Sequence, residues 1–279
     1  MKKVAVIGTG IMGHGIALNF LKKGFETFVW NRNRERLKDL KGAKIANTPK
    51  EATENADIIF EVTANDASSK SVWLGKNGIM KGADPGKILI VCATLSVEWT
   101  EKLAGLCAKK GITFFDMPMT GSRAGAESGK LVLLVGGDRE KLSKVKPVLK
   151  AISGEVLYFG KAGAGMKYKL ILNLLQAIHV FGMGEALKLA KDANLDIKAV
   201  GDALSVRPGG LATNMAWKNY QQEPTQTNFS VEWITKDLKY AKKLSKSPTL
   251  FLNAALKRLQ KGLKKSMHQK DWTLVNKLT

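Results

Sequence analysis

Short apolar runs and amphipathic stretches alternate through the first half of the chain. Residues 3–8 (KVAVIG) predict a buried strand, and the wider apolar spacing of residues 11–23 predicts a helix. A second strand is expected at 26–30, after Gly24. Further strands are predicted at 57–62, 88–92, 112–115, 131–136 and 155–159, with helices near 34–41, 66–73, 97–109 and 138–151. Strands that are apolar throughout, separated by helices, imply a parallel sheet covered on both faces.

The pattern changes after Gly160. A long helix is predicted from about Gly165 to Ala193, broadly apolar in its first half. Such breadth suggests burial on several sides, as between a domain and a partner subunit. Helices at 196–205, 211–219, 230–246 and 249–265 follow, separated by Pro208, Gly209, Gly210, Pro224 and Pro248. The apolar stretch from Leu170 to Gly184 is interrupted by Asn173, Gln176 and His179, and reads as too short and too polar for a bilayer. The start, MKKVAVIGTG, does not read as a signal peptide, because its apolar run ends in glycines. No membrane association is expected.

Those glycines carry the first chemical signal. Gly8-Thr9-Gly10-Ile11-Met12-Gly13 is a GxGxxG between a strand and a helix. Gly8 permits a tight turn, Gly10 lets a pyrophosphate approach the backbone, and Gly13 lets the helix pack on the strand. Ile11 and Met12 open the helix whose amino terminus would face the phosphates. The second strand ends in Asn31-Arg32-Asn33, with no carboxylate to accept from a ribose 2′-hydroxyl. Arg32 can pair with a 2′-phosphate, so NADP (as NADPH) is the expected cofactor. Arg34 and Arg36 read as solvated loop residues. The expected fold is thus α/β: a Rossmann-type dinucleotide-binding domain over 1–162, with a parallel sheet, then an all-helical domain over 163–279 built on a long interdomain helix.

Charge complicates the picture. The chain of 279 residues has 45 Lys+Arg against 24 Asp+Glu, a formal net charge of +21. Ten of those charges fall in residues 236–279, where twelve basic residues meet Asp237 and Asp271. Phosphate binding is driven by such residues. Only seven of the 45 basic residues of the chain are Arg, however, and Lys is the usual solvated surface charge. Nucleic acid is therefore not the favoured partner, and the basic surface reads as a field that draws small anions. Cys92 and Cys107 cannot form a disulfide framework, and no CxxC is present. A reducing, cytoplasmic location is expected.

A second signal opens the long helix: Gly163-x-Gly165-x-x-x-Lys169-x-x-x-Asn173. The i, i+4 spacing puts Lys169 and Asn173 on one face. A lysine entering so apolar a face would be desolvated, which favours proton transfer near neutral pH. Lys167 reads as a snorkelling surface residue. His14, His179 and His268 share no metal-ligand spacing, and no metal is expected. Trp217, Tyr220, Phe229 and Trp233 read as core or subunit contacts ahead of pocket walls.

With Asp116-Met-Pro118-Met-Thr120-Gly121-Ser122-Arg-Ala-Gly125-Ala126 and Lys236-Asp237-Leu238, these motifs resemble, in order, those of the β-hydroxyacid dehydrogenase family. That group contains 3-hydroxyisobutyrate dehydrogenases and glyoxylate/succinic semialdehyde reductases. The resemblance implies Lys169 as general acid and base, and Asn173 as the residue orienting substrate and lysine. It implies that Thr120, Gly121 and Ser122 hold the carboxylate of a small substrate. Thr94 matches a cofactor-contacting position, and Lys236 a lysine at the nicotinamide end. Asp237 reads as structural. A homodimer or homotetramer is implied. Ser122 stands where hydroxyisobutyrate enzymes have Gly, and with Met119 and MKYKLILN it leans toward the glyoxylate/succinic semialdehyde branch. Imine reductases share the fold but usually lack the lysine, and chromatin-associated relatives use it as a scaffold with catalysis lost at that position.

Overall fold

The computed structural model describes residues 3–206, 210–243 and 250–278. It comprises two compact units that meet in sequence at Lys169 and Leu170. Pro208, Gly209, Lys246 and Pro248, and the predicted helix ends around them, lie outside the described residues.

The first unit is a twisted sheet between two apolar layers. β1 (Val4–Ile7) pairs in parallel with β2 (Thr27–Trp30) on one side and β4 (Ile58–Glu61) on the other. β3 (Lys44–Ile45) extends the sheet beyond β2; β5 (Ile88–Val91) and β6 (Thr113–Asp116) extend it beyond β4, all in parallel. Every residue of β1, β4 and β5 is buried, as expected of strands covered on both faces. Alternate residues feed different cores. Val4, Val6 and Phe60 join the layer under α1 (Ile11–Lys22). Ala5, Ile7 and Ile59 join Trp73 and Trp99, from α3 (Asp66–Leu74) and α5 (Val97–Lys109).

The sheet is not parallel throughout. β8 (Leu131–Gly137) runs antiparallel to β6 and to the short β7 (Met119–Thr120), and β9 (Ser153–Gly160) is parallel to β8. An apolar run marks a buried strand but carries no sign of its direction, so the sequence could not show this reversal. β6 and β7 form one broken line beside β8. The break falls at Met117-Pro118, where proline has no N–H to donate, although the Pro118 carbonyl still accepts from Leu134.

Several helices differ from expectation. The stretch 138–151 splits into α7 (Arg139–Leu142) and α8 (Lys146–Leu149), the second carrying Pro147 in its first turn, where proline is tolerated. The stretch 34–41 contracts to a 3-10 turn, Arg34–Leu37. α2 (Pro49–Glu54), α4 (Ile79–Gly82) and α6 (Ser122–Ser128) are too short to show periodicity. α6 packs closely on α1. A Cβ on Gly15 would lie 2.7 Å from the Ala126 backbone, and the Asn19 amide donates to the Ala126 carbonyl at 2.7 Å.

α9 (Ala164–Asp192) begins in the first unit, where Met166 joins the core, and continues into the second. The first unit thus extends past residue 162 and includes Lys169. In the second unit, Ala177, Val180, Met183 and Leu187 of α9 meet Trp217 of α11 (Gly210–Gln221), Leu238 of α12 (Val231–Lys242) and Leu259 of α13 (Leu250–Lys264). α10 (Ile197–Ser205) completes the helical set, and a 3-10 turn, Trp272–Lys277, adds Trp272 and Val275. Trp217, Tyr220 and Phe229 all join this core. As a helix, Ala164–Lys188 is long and apolar enough to cross a membrane, contrary to the reading from its polar interruptions. Met166 of this helix serves the first core and Ala177, Val180, Met183 and Leu187 the second, whereas Ile171 and Leu175 are exposed.

Both thiols are buried, and burial pushes each up, that of Cys107 to about 12. Native protein should therefore give no fast reaction with a disulfide reagent at pH 8, and two thiols after guanidinium unfolding. A second prediction concerns α9. A Cβ on Gly165 would lie 2.1 Å from the Leu134 carbonyl oxygen, whereas one on Gly182 would meet nothing within 4 Å. In urea titrations Gly165→Ala should lose about 1–3 kcal/mol, and Gly182→Ala should gain up to ~1 kcal/mol.

Candidate active site

The glycine loop follows β1. Gly8 has φ +101°, a conformation natural to glycine, and its Cβ would lie 2.4 Å from the Val62 carbonyl oxygen. A Cβ on Gly13 would lie 1.9 Å from the Gly8 carbonyl oxygen. These two glycines are therefore demanded by packing. Gly10 differs, since a Cβ there would meet only the Arg36 guanidinium, at 3.5 Å. Gly10 is also the N-cap of α1 and offers no side chain to the helix, whose first turn contains no acid. The first N–H groups of α1, at Ile11 and Met12, thus lack a capping side chain, an arrangement suited to an anion.

The end of β2 is tied to this loop. Asn31 Nδ2 donates to Thr9 Oγ1 at 2.9 Å, and Thr9 Oγ1 donates to the Arg36 carbonyl at 3.3 Å. Asn31 Oδ1 accepts from the Asn33 N–H, and Asn33 caps the following 3-10 turn. Arg32 is exposed. Arg34 is engaged elsewhere, donating to Asn47 Oδ1 at 2.7 Å. Arg36 is exposed, as expected from the sequence, and its guanidinium lies beside Gly10. The turn Arg34–Leu37 brings it there.

The substrate-loop candidates sit where β7 gives way to α6. Thr120 pairs with Val132 of β8. Gly121 has φ +122° and Ser122 φ +52°. A serine in the left-handed region is strained, and such strain concentrates at functional sites. Thr94 follows β5 and is half-buried.

Asp116, at the end of β6, is fully buried. Its Oδ1 accepts from the Gly163 N–H at 2.7 Å, and its Oδ2 from the Met166 N–H at 2.8 Å. Burial raises its pKa, and the backbone donors oppose that rise. The carboxylate thereby holds the start of α9. One turn on is Lys169, only 9% exposed. Lys167 behaves as expected of a surface lysine, pairing with Glu101 at 2.8 Å with both side chains half exposed.

In the second unit, Asn173 is buried and its Nδ2 donates to Asp237 Oδ2 at 2.5 Å. The other Asp237 oxygen pairs with Lys236 Nζ at 2.9 Å. Asp237 is completely buried and holds both neighbours, the structural part expected of it. His14 and His179 lie on α1 and α9, and His268 precedes the final 3-10 turn. No cluster able to hold a metal occurs among the described residues. The sequence points to no role of its own for Asp116 and marks Arg36 only as a solvated loop residue.

Residues 3–160 match the family described as the NAD binding domain of 6-phosphogluconate dehydrogenase. Residues 163–278 match that described as NAD-binding of NADP-dependent 3-hydroxyisobutyrate dehydrogenase. A probable mitochondrial 3-hydroxyisobutyrate dehydrogenase of Dictyostelium discoideum is 30% identical, covering 98% of this chain and 89% of its own. The NAD-dependent L-serine dehydrogenase of Pseudomonas aeruginosa is 28% identical over 100% of this chain and 98% of its own. The crystal structure of a 3-hydroxyisobutyrate dehydrogenase from Salmonella typhimurium matches over 100% of both chains, with TM-score 0.90 at 23% identity, a likeness of fold. The chain belongs to the β-hydroxyacid dehydrogenase family and is an NAD(P)-dependent oxidoreductase.

The strain at Ser122 predicts a graded response. Ser122→Gly should hold folding stability within about 1 kcal/mol of wild type. Ser122→Val should lose about 1–3 kcal/mol, because a branched side chain tolerates φ +52° worst. Paired urea titrations measure both.

Proposed function

We propose that the protein interconverts a small aldehyde or keto acid and its hydroxy acid, with NADP as cofactor and Lys169 as general acid and base. The observation that carries this reading is the placement of Lys169: nearly buried, on a helix whose first turn is fastened to the strand that leads into the Thr120–Ser122 loop. A bound nicotinamide cofactor supplies or accepts the hydride. Lys169 gives its proton to the carbonyl oxygen during reduction and takes it back during oxidation. The loop from Thr120 to Ser122 receives the substrate carboxylate, and Thr94 faces the cofactor. In the second unit, Asp237 fixes Asn173 and Lys236, to which the family resemblance gives substrate-orienting and cofactor-facing roles.

The uncapped start of α1 fits a pyrophosphate. Three features favour the 2′-phosphate: no carboxylate closes β2, Arg32 is exposed beside it, and Arg36 reaches the glycine loop. The glyoxylate/succinic semialdehyde type is preferred over the 3-hydroxyisobutyrate type on Ser122 and Met119. Assembly as a dimer or tetramer draws support from the exposed Ile171 and Leu175 on α9.

Lys169→Ala should lower turnover at least ~100-fold while NADPH affinity, read by fluorescence titration, stays within twofold. Near-wild-type turnover by this variant on any of glyoxylate, succinic semialdehyde, tartronate semialdehyde or methylmalonate semialdehyde would remove Lys169 from the chemistry. Arg36→Ala should weaken NADPH binding by about tenfold and leave NADH binding unchanged. Equal losses for both nucleotides would overturn the 2′-phosphate role.

A further inference from the structure

The start of α9 is held with little slack. Asp116 uses both carboxylate oxygens on backbone N–H groups of one helical turn. The Met166 N–H donates to that carboxylate, while the Met166 sulfur accepts from the Leu95 N–H at 3.2 Å. Leu95 directly follows Thr94, and Met166 lies less than one helical turn before Lys169. Asp116 itself begins the segment that leads through Pro118 to Thr120. Two glycines close the junction. A Cβ on Gly136 would lie 2.4 Å from Asp116 Oδ1, and one on Gly165 would lie 2.9 Å from the Gly136 N–H nitrogen.

An ionised aspartate suits this position better than its amide. Each oxygen faces an N–H donor, and asparagine would turn its own NH₂ toward one of them. A fully buried carboxylate is otherwise unfavourable, so a purely apolar junction would have made the simpler core.

We propose that Asp116 is a positioning residue that acts through Lys169: by gripping the first turn of α9 it fixes the lysine amine relative to Thr94 and the Thr120–Ser122 loop. This rests on the reading of Lys169 as acid and base. A small displacement of a proton donor lowers turnover steeply and leaves binding largely intact.

The test compares Asp116→Asn with wild type and with Lys169→Ala. Each is assayed with NADPH and whichever of glyoxylate, succinic semialdehyde, tartronate semialdehyde or methylmalonate semialdehyde wild type reduces fastest. Asp116→Asn should lower kcat by about ten- to hundredfold, with KM and NADPH affinity within about threefold. Its solvent deuterium isotope effect on kcat should rise above the wild-type value, because proton transfer becomes limiting. A merely structural role would instead reduce the folded fraction, lowering kcat in proportion and leaving the isotope effect unchanged. That result, or an unaltered kcat, overturns the proposal. Asp116→Glu keeps the charge but moves it by a methylene, and serves if the asparagine variant does not fold; it should also raise the isotope effect. If neither variant yields a folded, nucleotide-binding protein, Asp116 acts on the fold alone and the proposal falls. If Lys169→Ala keeps wild-type turnover, the reading of the lysine has failed first, whatever Asp116 does.

Discussion

A helix that starts inside a protein must satisfy backbone N–H groups that have no partner within the helix. In the first unit the sheet meets this demand for α9 with a single carboxylate, that of Asp116. Much of the neighbouring structure follows from that contact. The donors are so close that Gly136 and Gly165 leave no room for side chains. The antiparallel course of β8 sets Gly136 opposite Asp116 in register, so the reversal and the close approach belong together. Burial of the charge is compensated by aligned backbone dipoles and needs no cationic side chain.

α1 and α9 handle the same physical problem in opposite ways. α9 begins closed, its N–H groups taken up by Asp116 from within the protein. α1 begins at Gly10 with no capping side chain and no acidic residue in its first turn. The glycines around it fall into two kinds. Gly8 and Gly13 are required by backbone contacts, whereas only the flexible tip of Arg36 occupies the space beside Gly10. The motif read as one signal is thus two packing constraints flanking one open position.

The parts legible in the sequence were those set by local pattern. Apolar strands and the long helix that carries Lys169 and Asn173 are single elements, where periodicity and i, i+4 geometry speak directly. Less visible were the features set by distant partners. Residues 131–136 read as a strand whichever way they run. Arg36 looked like its neighbour Arg34 until the 3-10 turn sent one to Gly10 and the other to Asn47. Asp116 stands out in the sequence only as the start of a motif, because its donors lie some fifty positions away. Pro147 misled differently. The apolar spacing of 138–151 runs on without a gap, but the helix breaks between Leu142 and Lys146 and restarts with Pro147 in its first turn.

The backbone at Ser122 has a consequence for how such a protein changes over time. Most loop positions resist substitution because the existing side chain is the one the backbone prefers. Here the backbone prefers glycine and the chain carries serine. Within the reading proposed above, the hydroxyl can be lost or regained by one residue change without passing through an unstable form. Selection on substrate range can then act at this position with little interference from selection on folding, so related enzymes can diverge in preference while the sheet, the long helix and its buried anchor stay fixed.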